Sequence, residues 1–446
     1  MEKIIKKLKN NSFFGSVFYV GSGKLIAQII TVVSTLLLVR IYENSDYGEY
    51  GIITSTAQLI MSLATLGLTS AIMVPEKDEE SQNVYMTACF ITLVISISFC
   101  CILFSISPFY HIVNVSGNYY VAITIMSLSI LLTNFTSITT VYVNRKKLNK
   151  LLFVNPIIGA TANFLIAIPL GLFGVGYIGF AVASLLSNLI ISFQMMIRSH
   201  PFKKNFHLKT IFYVIKKYKN YILFQCPSNL IGNFSVQYPT QFLSRIFDNA
   251  ILGSYTMCLQ VLQYPAQLIA APISTIYFRT ASEYQLQGKN FSDFTFKLIT
   301  KLMLIAFPMI LVVIFFGESL FSLALGENWA EAGRISSLLI VQYVLLFCSQ
   351  CTSYCRVALG RQRLNLIYSI SNLIITVLFC SIGYMIYGSL YGTLLLFSIG
   401  RSIVLIFDMF LNFICMKKNQ FKYLLFAFAY YLICLGIILL NNRYIK

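Results

Sequence analysis

Thirteen apolar stretches, each roughly 17–27 residues long, follow one another along a chain of 446 residues. A helix rises about 1.5 Å per residue, so each stretch is long enough to cross a hydrocarbon core about 30 Å thick. They lie at about 13–39, 51–74, 84–107, 119–143, 151–170, 176–197, 221–244, 254–278, 298–316, 335–357, 364–386, 389–412 and 423–440. In that core no water serves the backbone, so only helices or closed barrels satisfy its N–H and C=O groups. Barrel strands need only about 10 residues, and these runs are longer. The expected fold class is therefore an all-α polytopic membrane protein. Only 11% of residues are charged and the mean hydropathy is +0.76, whereas soluble domains carry about 25% charged residues. A soluble enzyme, a disordered chain and a disulfide-stapled secreted domain are excluded.

The net charge is +18. With the N-terminus placed in the cytoplasm, 26 lysines and arginines fall on inner segments, five on outer segments, and two, Lys24 and Arg401, inside spans. This is the positive-inside bias of a membrane protein, so the charge implies no nucleic-acid partner. The outer segments are short, the longest being Gly317–Arg334 with 18 residues, too little for an extracytoplasmic catalytic domain. The longest inner segment, Arg198–Asn220, is basic and amphipathic and is expected to lie on the membrane surface.

The chain repeats itself. Leu38-Val-Arg-Ile-Tyr-Glu-Asn-Ser-Asp-Tyr-Gly-Glu-Tyr50 matches Leu243-Ser-Arg-Ile-Phe-Asp-Asn-Ala-Ile-Leu-Gly-Ser-Tyr255 at an offset of 205, and Arg145-Lys-Lys-Leu-Asn149 matches Arg361-Gln-Arg-Leu-Asn365 at 216. Arg40 and Arg245 are repeat-matched, as are Glu43 and Asp248, which suits ion pairs at the two turns. Six spans separate the copies, so both halves enter the membrane the same way up. Such parallel repeats predict two pseudo-symmetric six-helix bundles around a central cavity near the midplane. The expected division is 1–205, 206–422 and an additional span in 423–446.

The pattern R-I-Y-x-N-x-x-Y-G-x-Y after the first span, followed by Leu66-Gly-Leu-Thr-Ser-Ala71, resembles the polysaccharide-biosynthesis flippases of the Wzx, or O-antigen, type. Their superfamily also contains the multidrug and toxin extrusion transporters and the peptidoglycan-precursor flippase. The resemblance runs from about Phe13 to about residue 415. It implies two six-helix bundles open to one side at a time. It also implies a cargo of undecaprenyl-pyrophosphate-linked oligosaccharide, moved from the inner to the outer leaflet of a bacterial cytoplasmic membrane. Membrane lipid and other glycan-assembly proteins would be partners, with no cofactor and no enzymatic step.

Lys24 and Arg401 are the candidate pyrophosphate ligands. A charge at the bilayer centre costs about 2.5–3.5 kcal/mol on insertion scales, so each should face a wet cavity or a partner. Arg401 has one candidate partner on its own helix, Asp408, seven residues on, and Asp408 is also the coupling-ion candidate. Lys24, Gln28, Thr31 and Thr35 form one polar helical face. The seventh span carries Gln225, Asn229, Asn233, Gln237 and Gln241, and the eighth Gln260, Gln263 and Gln267. The candidate substrate-binding set is Lys24, Gln28, Asn229, Asn233, Gln237, Gln263, Gln267 and Arg401. Amides suit sugar hydroxyls, and they also suit interhelical hydrogen bonds. Cys348, Cys351 and Cys355 share a helical face but have no His or carboxylate close in sequence, so they are expected to be core residues and not metal ligands. A cation antiporter would instead need acidic residues mid-membrane, where only Asp408 comes close. A peptidoglycan-precursor flippase would be expected to carry more than two deep cations.

Overall fold

The computed structural model describes residues 12–106, 115, 118–200, 208–359, 361 and 364–441. The basic N-terminal segment 1–11 and residues 201–207 of the linker lie outside them. Within the described residues the chain is helical, without strands. It divides into two compact units, Met1–Asn233 and Phe234–Lys446.

The first unit contains α1 (Ser12–Leu38), α2 (Asn44–Ala64), the single turn α3 (Leu68–Ala71), α4 (Asp78–Ile106), α5 (Tyr119–Arg145), α6 (Asn149–Leu172), α7 (Tyr177–Ser199) and α8 (Leu208–Lys217). A π-helical turn, Tyr221–Gln225, then leads into α9 (Cys226–Leu243), in which the division between the units falls. The second unit continues with α10 (Asn249–Pro265), a second π-helical turn (Ala266–Ala270), α11 (Ala271–Leu286), α12 (Ser292–Leu325), α13 (Ala330–Cys351), the short α14 (Cys355–Ala358), α15 (Leu364–Tyr387), α16 (Leu390–Met416) and α17 (Gln420–Leu440).

Ten helical segments among the described residues are long and apolar enough to cross a membrane. The remaining expected spans, 51–74, 221–244 and 254–278, are helical too, but they fall below that apolarity because they carry the asparagines, glutamines and hydroxyls. The repeat is visible as matched helix ends. α1 stops at Leu38 and α9 at Leu243, and α2 starts at Asn44 and α10 at Asn249. Glu43 and Asp248 both sit extended at the N-cap. The expected ion pairs are absent: among the described residues neither Arg40 nor Arg245 pairs with a carboxylate, and the Glu43 backbone N–H donates to Asp46 at 3.0 Å. An acidic side chain at a helix start is held by the free N–H groups there.

The expected 18-residue outer loop is also different. Gly317 lies within α12, and Gly333 and Arg334 within α13. Glu318, Glu327, Glu331 and Arg334 end the apolar run but not the helices, and Arg334 Nη2 donates to Glu318 Oε1 at 2.6 Å. The two helices approach so closely here that a Cβ on Gly333 would lie 2.3 Å from the Gly317 carbonyl oxygen and 2.7 Å from Glu318 Cα. In the first unit α1 packs along α6, with Tyr19 stacked on Phe153 at 4.5 Å and Gly23 against the Phe153 backbone. In the second unit α13 and α16 are the mostly buried central helices. α17 packs on α12, α13 and α16, fastened by Tyr430 Oη to the Met303 carbonyl at 2.9 Å and Asn441 Nδ2 to the Ile314 carbonyl at 2.6 Å.

Backbone against backbone cannot yield, so Gly333→Ala is expected to cost about 1–3 kcal/mol, read as a lower melting temperature of the purified protein in detergent. Gly21→Ala meets nothing within 4 Å and is expected to be neutral or to stabilise by up to about 1 kcal/mol.

Candidate functional site

The second unit holds a buried and a half-buried arginine in different electrical circumstances. Both relate to α16, whose position among α13, α15 and α17 removes most of its surface from the surroundings. Asp408, in its second half, is 3% exposed. Its Oδ1 accepts from Arg356 Nη2 at 2.6 Å and its Oδ2 from Ser349 Oγ at 2.5 Å. The chain turns at Thr352–Tyr354 after α13, and the short α14 directs Arg356 back onto α16. The ion pair is 5% and 4% exposed at its two side chains. Nε and Nη1 of Arg356 are buried and have no hydrogen-bond partner among the described residues. Sequence reasoning missed this arginine, because it stands among the basic residues expected in an inner loop.

Arg401 is therefore not the partner of Asp408. It is half-buried near the middle of α16, and its Nη1 donates to the amide oxygen of Asn372 on α15. No carboxylate pairs with it among the described residues. Tyr255, Tyr343, Tyr368 and Cys380 lie around it. Tyr343 in turn lies beside Gln263 of α10. Thus the structure brings Arg401 and Gln263 into one polar neighbourhood, through Asn372 and Tyr343, neither of which was in the sequence-based set. The only advance signal for Asn372 was an amide inside the body of a highly apolar helix whose other asparagine, Asn365, stands at its start. Gln267 is exposed on the π-helical turn that follows Pro265, and Gln260 Nε2 donates to Tyr264 Oη at 2.8 Å.

Lys24 belongs to the first unit. The flanking face of α1, with Gly23 and Ala27, is buried against α6, while Lys24, Leu25 and Ile26 beside it are exposed near the middle of the helix. Gln28 is half-buried, and its Nε2 has no partner among the described residues. Thr31 and Thr35 turn their hydroxyls back onto the carbonyls of Ala27 and Thr31, so the polar face narrows to Lys24 and Gln28. On the seventh helical segment, Gln225 Nε2 donates to Asn229 Oδ1 at 2.8 Å, and Asn229, Asn233 and Gln237 are all half-buried. The π-helical turn ends one residue before Pro227, with Cys226 between them. Proline lacks the N–H that continues the ladder, and a wider turn there fits the recurrence of π-bulges at working sites. Cys348, Cys351 and Cys355 are buried and free. Among the described residues no group of three His, Cys, Asp or Glu is placed to hold a metal.

Comparison with known proteins adds a class and then a family. A multidrug resistance MATE family transporter of the MOP superfamily, facing inward, is similar with a TM-score of 0.65 and 17% identity, over 89% of this chain and 94% of that one. The lipid II flippase MurJ in an inward closed conformation is similar with a TM-score of 0.71 and 14% identity, over 95% of this chain and 96% of that one. A MOP superfamily transporter from Pyrococcus furiosus reaches 0.60 with 15% identity, over 90% of this chain and 95% of that one. The fold is that of MOP-superfamily transporters. Residues 37–334 match the family described as polysaccharide biosynthesis protein, and the chain belongs to that family. Together the family and the fold support a transporter of the flippase type. No curated protein sequence matches the chain.

Removing one partner of a buried ion pair strands the other, at a cost of about 3–5 kcal/mol. Arg356→Ala is expected to lower thermal stability by that order, and Arg356→Met combined with Asp408→Leu to recover most of it. A double variant as unstable as the single one would show that the pair is not what holds α14 to α16.

Proposed function

We propose that this protein moves an undecaprenyl-pyrophosphate-linked oligosaccharide from the inner to the outer leaflet of a bacterial cytoplasmic membrane by alternating access. Its N-terminus is cytoplasmic in this scheme. The polysaccharide-biosynthesis family supports a cargo of this class, and Arg401 carries the reading: a half-buried guanidinium bound to a neutral amide and paired with no carboxylate among the described residues suits an anion that arrives and leaves. Pyrophosphate is such an anion. Arg401 is a phosphate ligand in this reading, and Lys24 is a second one. The amides of Gln28, Asn229, Asn233, Gln237, Gln263 and Gln267 take the sugar hydroxyls, exchanging hydrogen bonds with water for hydrogen bonds with cargo. The polyprenyl tail stays in the lipid.

Asp408 is a weak candidate for a coupling-ion ligand, since Arg356 and Ser349 occupy both of its oxygens. The same pairing disfavours a cation antiporter, which needs a carboxylate free to exchange its partner. An inside-negative potential favours outward movement of a negative headgroup by about 2.3 kcal/mol per charge per 100 mV.

The test is made in cells that depend on this chain for surface glycan. Lys24→Ala and Arg401→Ala are each expected to cut surface glycan about tenfold or more, with lipid-linked precursor accumulating on the inner leaflet and protein levels unchanged. Arg401→Lys should recover part of the loss, since it keeps the charge but not the fork. Full glycan display by both alanine variants would remove these two cations from the cargo's path.

A further inference from the structure

The helix between the sixth and seventh apolar segments has two unlike faces. Ile211 is buried, and Val214 and Tyr218 are buried in one cluster with Val84 and Tyr85 of α4 and Tyr142 of α5. Glu80 fastens this side, accepting from Tyr218 Oη at 2.8 Å and pairing with Lys217. The Glu80 carboxylate holds the Lys217 ammonium above its ordinary pKa, so this lysine is committed to the protein.

The opposite face is exposed, with Lys217 Nζ of the same helix 5.7 Å from the Tyr213 ring centroid. At about 100° per residue, Lys209, Phe212, Tyr213 and Lys216 fall within roughly a quarter to a third of the helix circumference, and Phe212 is 73% exposed and Tyr213 55% exposed. Lys209, Lys216 and Lys219 are exposed as well. The chain continues into the π-helical turn with Leu223 and Phe224 also exposed. No acidic residue occurs anywhere in 198–220, where seven residues are basic.

We propose that this face of α8 binds the anionic headgroups of inner-leaflet lipids. Large aromatic side chains left in water would be costly, whereas Tyr and Phe settle at the headgroup level. The lysines beside them then lie where phosphate groups are densest, and a basic segment next to a span is drawn to an anionic leaflet. The basic-residue count puts this segment on the cytoplasmic side, where such a leaflet is expected. The outward lysines pair with no carboxylate among the described residues, which leaves their charge for the lipid. The role is independent of the cargo and concerns the anchoring of the segment that enters the seventh helix.

Phe212→Trp puts a reporter on this face. The native Trp329 is 1% exposed, and its fluorescence is subtracted using the unsubstituted protein. The full chain is reconstituted in phosphatidylcholine vesicles with a minority of phosphatidylglycerol, and the acyl chains of one lipid at a time carry bromine. Quenching by brominated phosphatidylglycerol is expected to exceed its mole-fraction share by about twofold or more, and Lys209→Gln, Lys216→Gln and Lys219→Gln together should return it to that share. No quenching from either lipid would place the face in water, open to an acidic protein instead, and overturn the proposal. So would quenching that follows mole fraction from the start, or selectivity that survives loss of the lysines.

Discussion

A formal charge inside an apolar helix must meet an opposite charge, a set of dipoles or water, because its solvation is lost in a low-dielectric medium. The helices of this protein are arranged around that requirement, and each deep charge meets it differently. Asp408 meets a guanidinium and a hydroxyl, and the three groups tie α13, α14 and α16 together. Arg401 meets a neutral amide and a group of tyrosines. Lys24 is left exposed. The first arrangement is closed, since both oxygens of the carboxylate are used. The other two pair with no carboxylate among the described residues, and an unmatched cation is what an anionic cargo requires.

The polar helices follow the same logic. α2, α9 and α10 are helical without being apolar enough to suit lipid on all sides. Their amides and hydroxyls need partners other than lipid. On the polar face of α1 the hydroxyls of Thr31 and Thr35 turn back onto their own helix, whereas Gln28 keeps a buried donor without a partner among the described residues. Prolines with π-helical turns beside them interrupt the backbone ladder in the seventh and eighth segments. Elsewhere, close glycine contacts such as Gly317 against Gly333 press helices together, as small residues do in membrane interfaces.

Hydropathy was informative about the spans because exclusion of water from the bilayer is a constraint on each segment separately. It misled at the outer turn between α12 and α13. Four charged residues ended the apolar run there, yet glutamate and arginine are good helix formers, and the helices continue to Leu325 and from Ala330. The same-face argument for Arg401 and Asp408 also gave the wrong partner. Seven residues separate two side chains by about 10.5 Å along a helix, while packing brings Arg356 to 2.6 Å.

The order of the helical spans, the repeat and the uneven spread of basic residues along the chain belong to the sequence alone, since each depends on local polarity or on spacing along the chain. Which charge neutralises which was decided only by the tertiary structure. Asp408 is bound to residues 52 and 59 positions away, and Arg401 to one 29 away. Electrostatic energy falls with distance in space, and in a packed bundle that distance is set by how neighbouring helices abut, which separation along the chain does not encode.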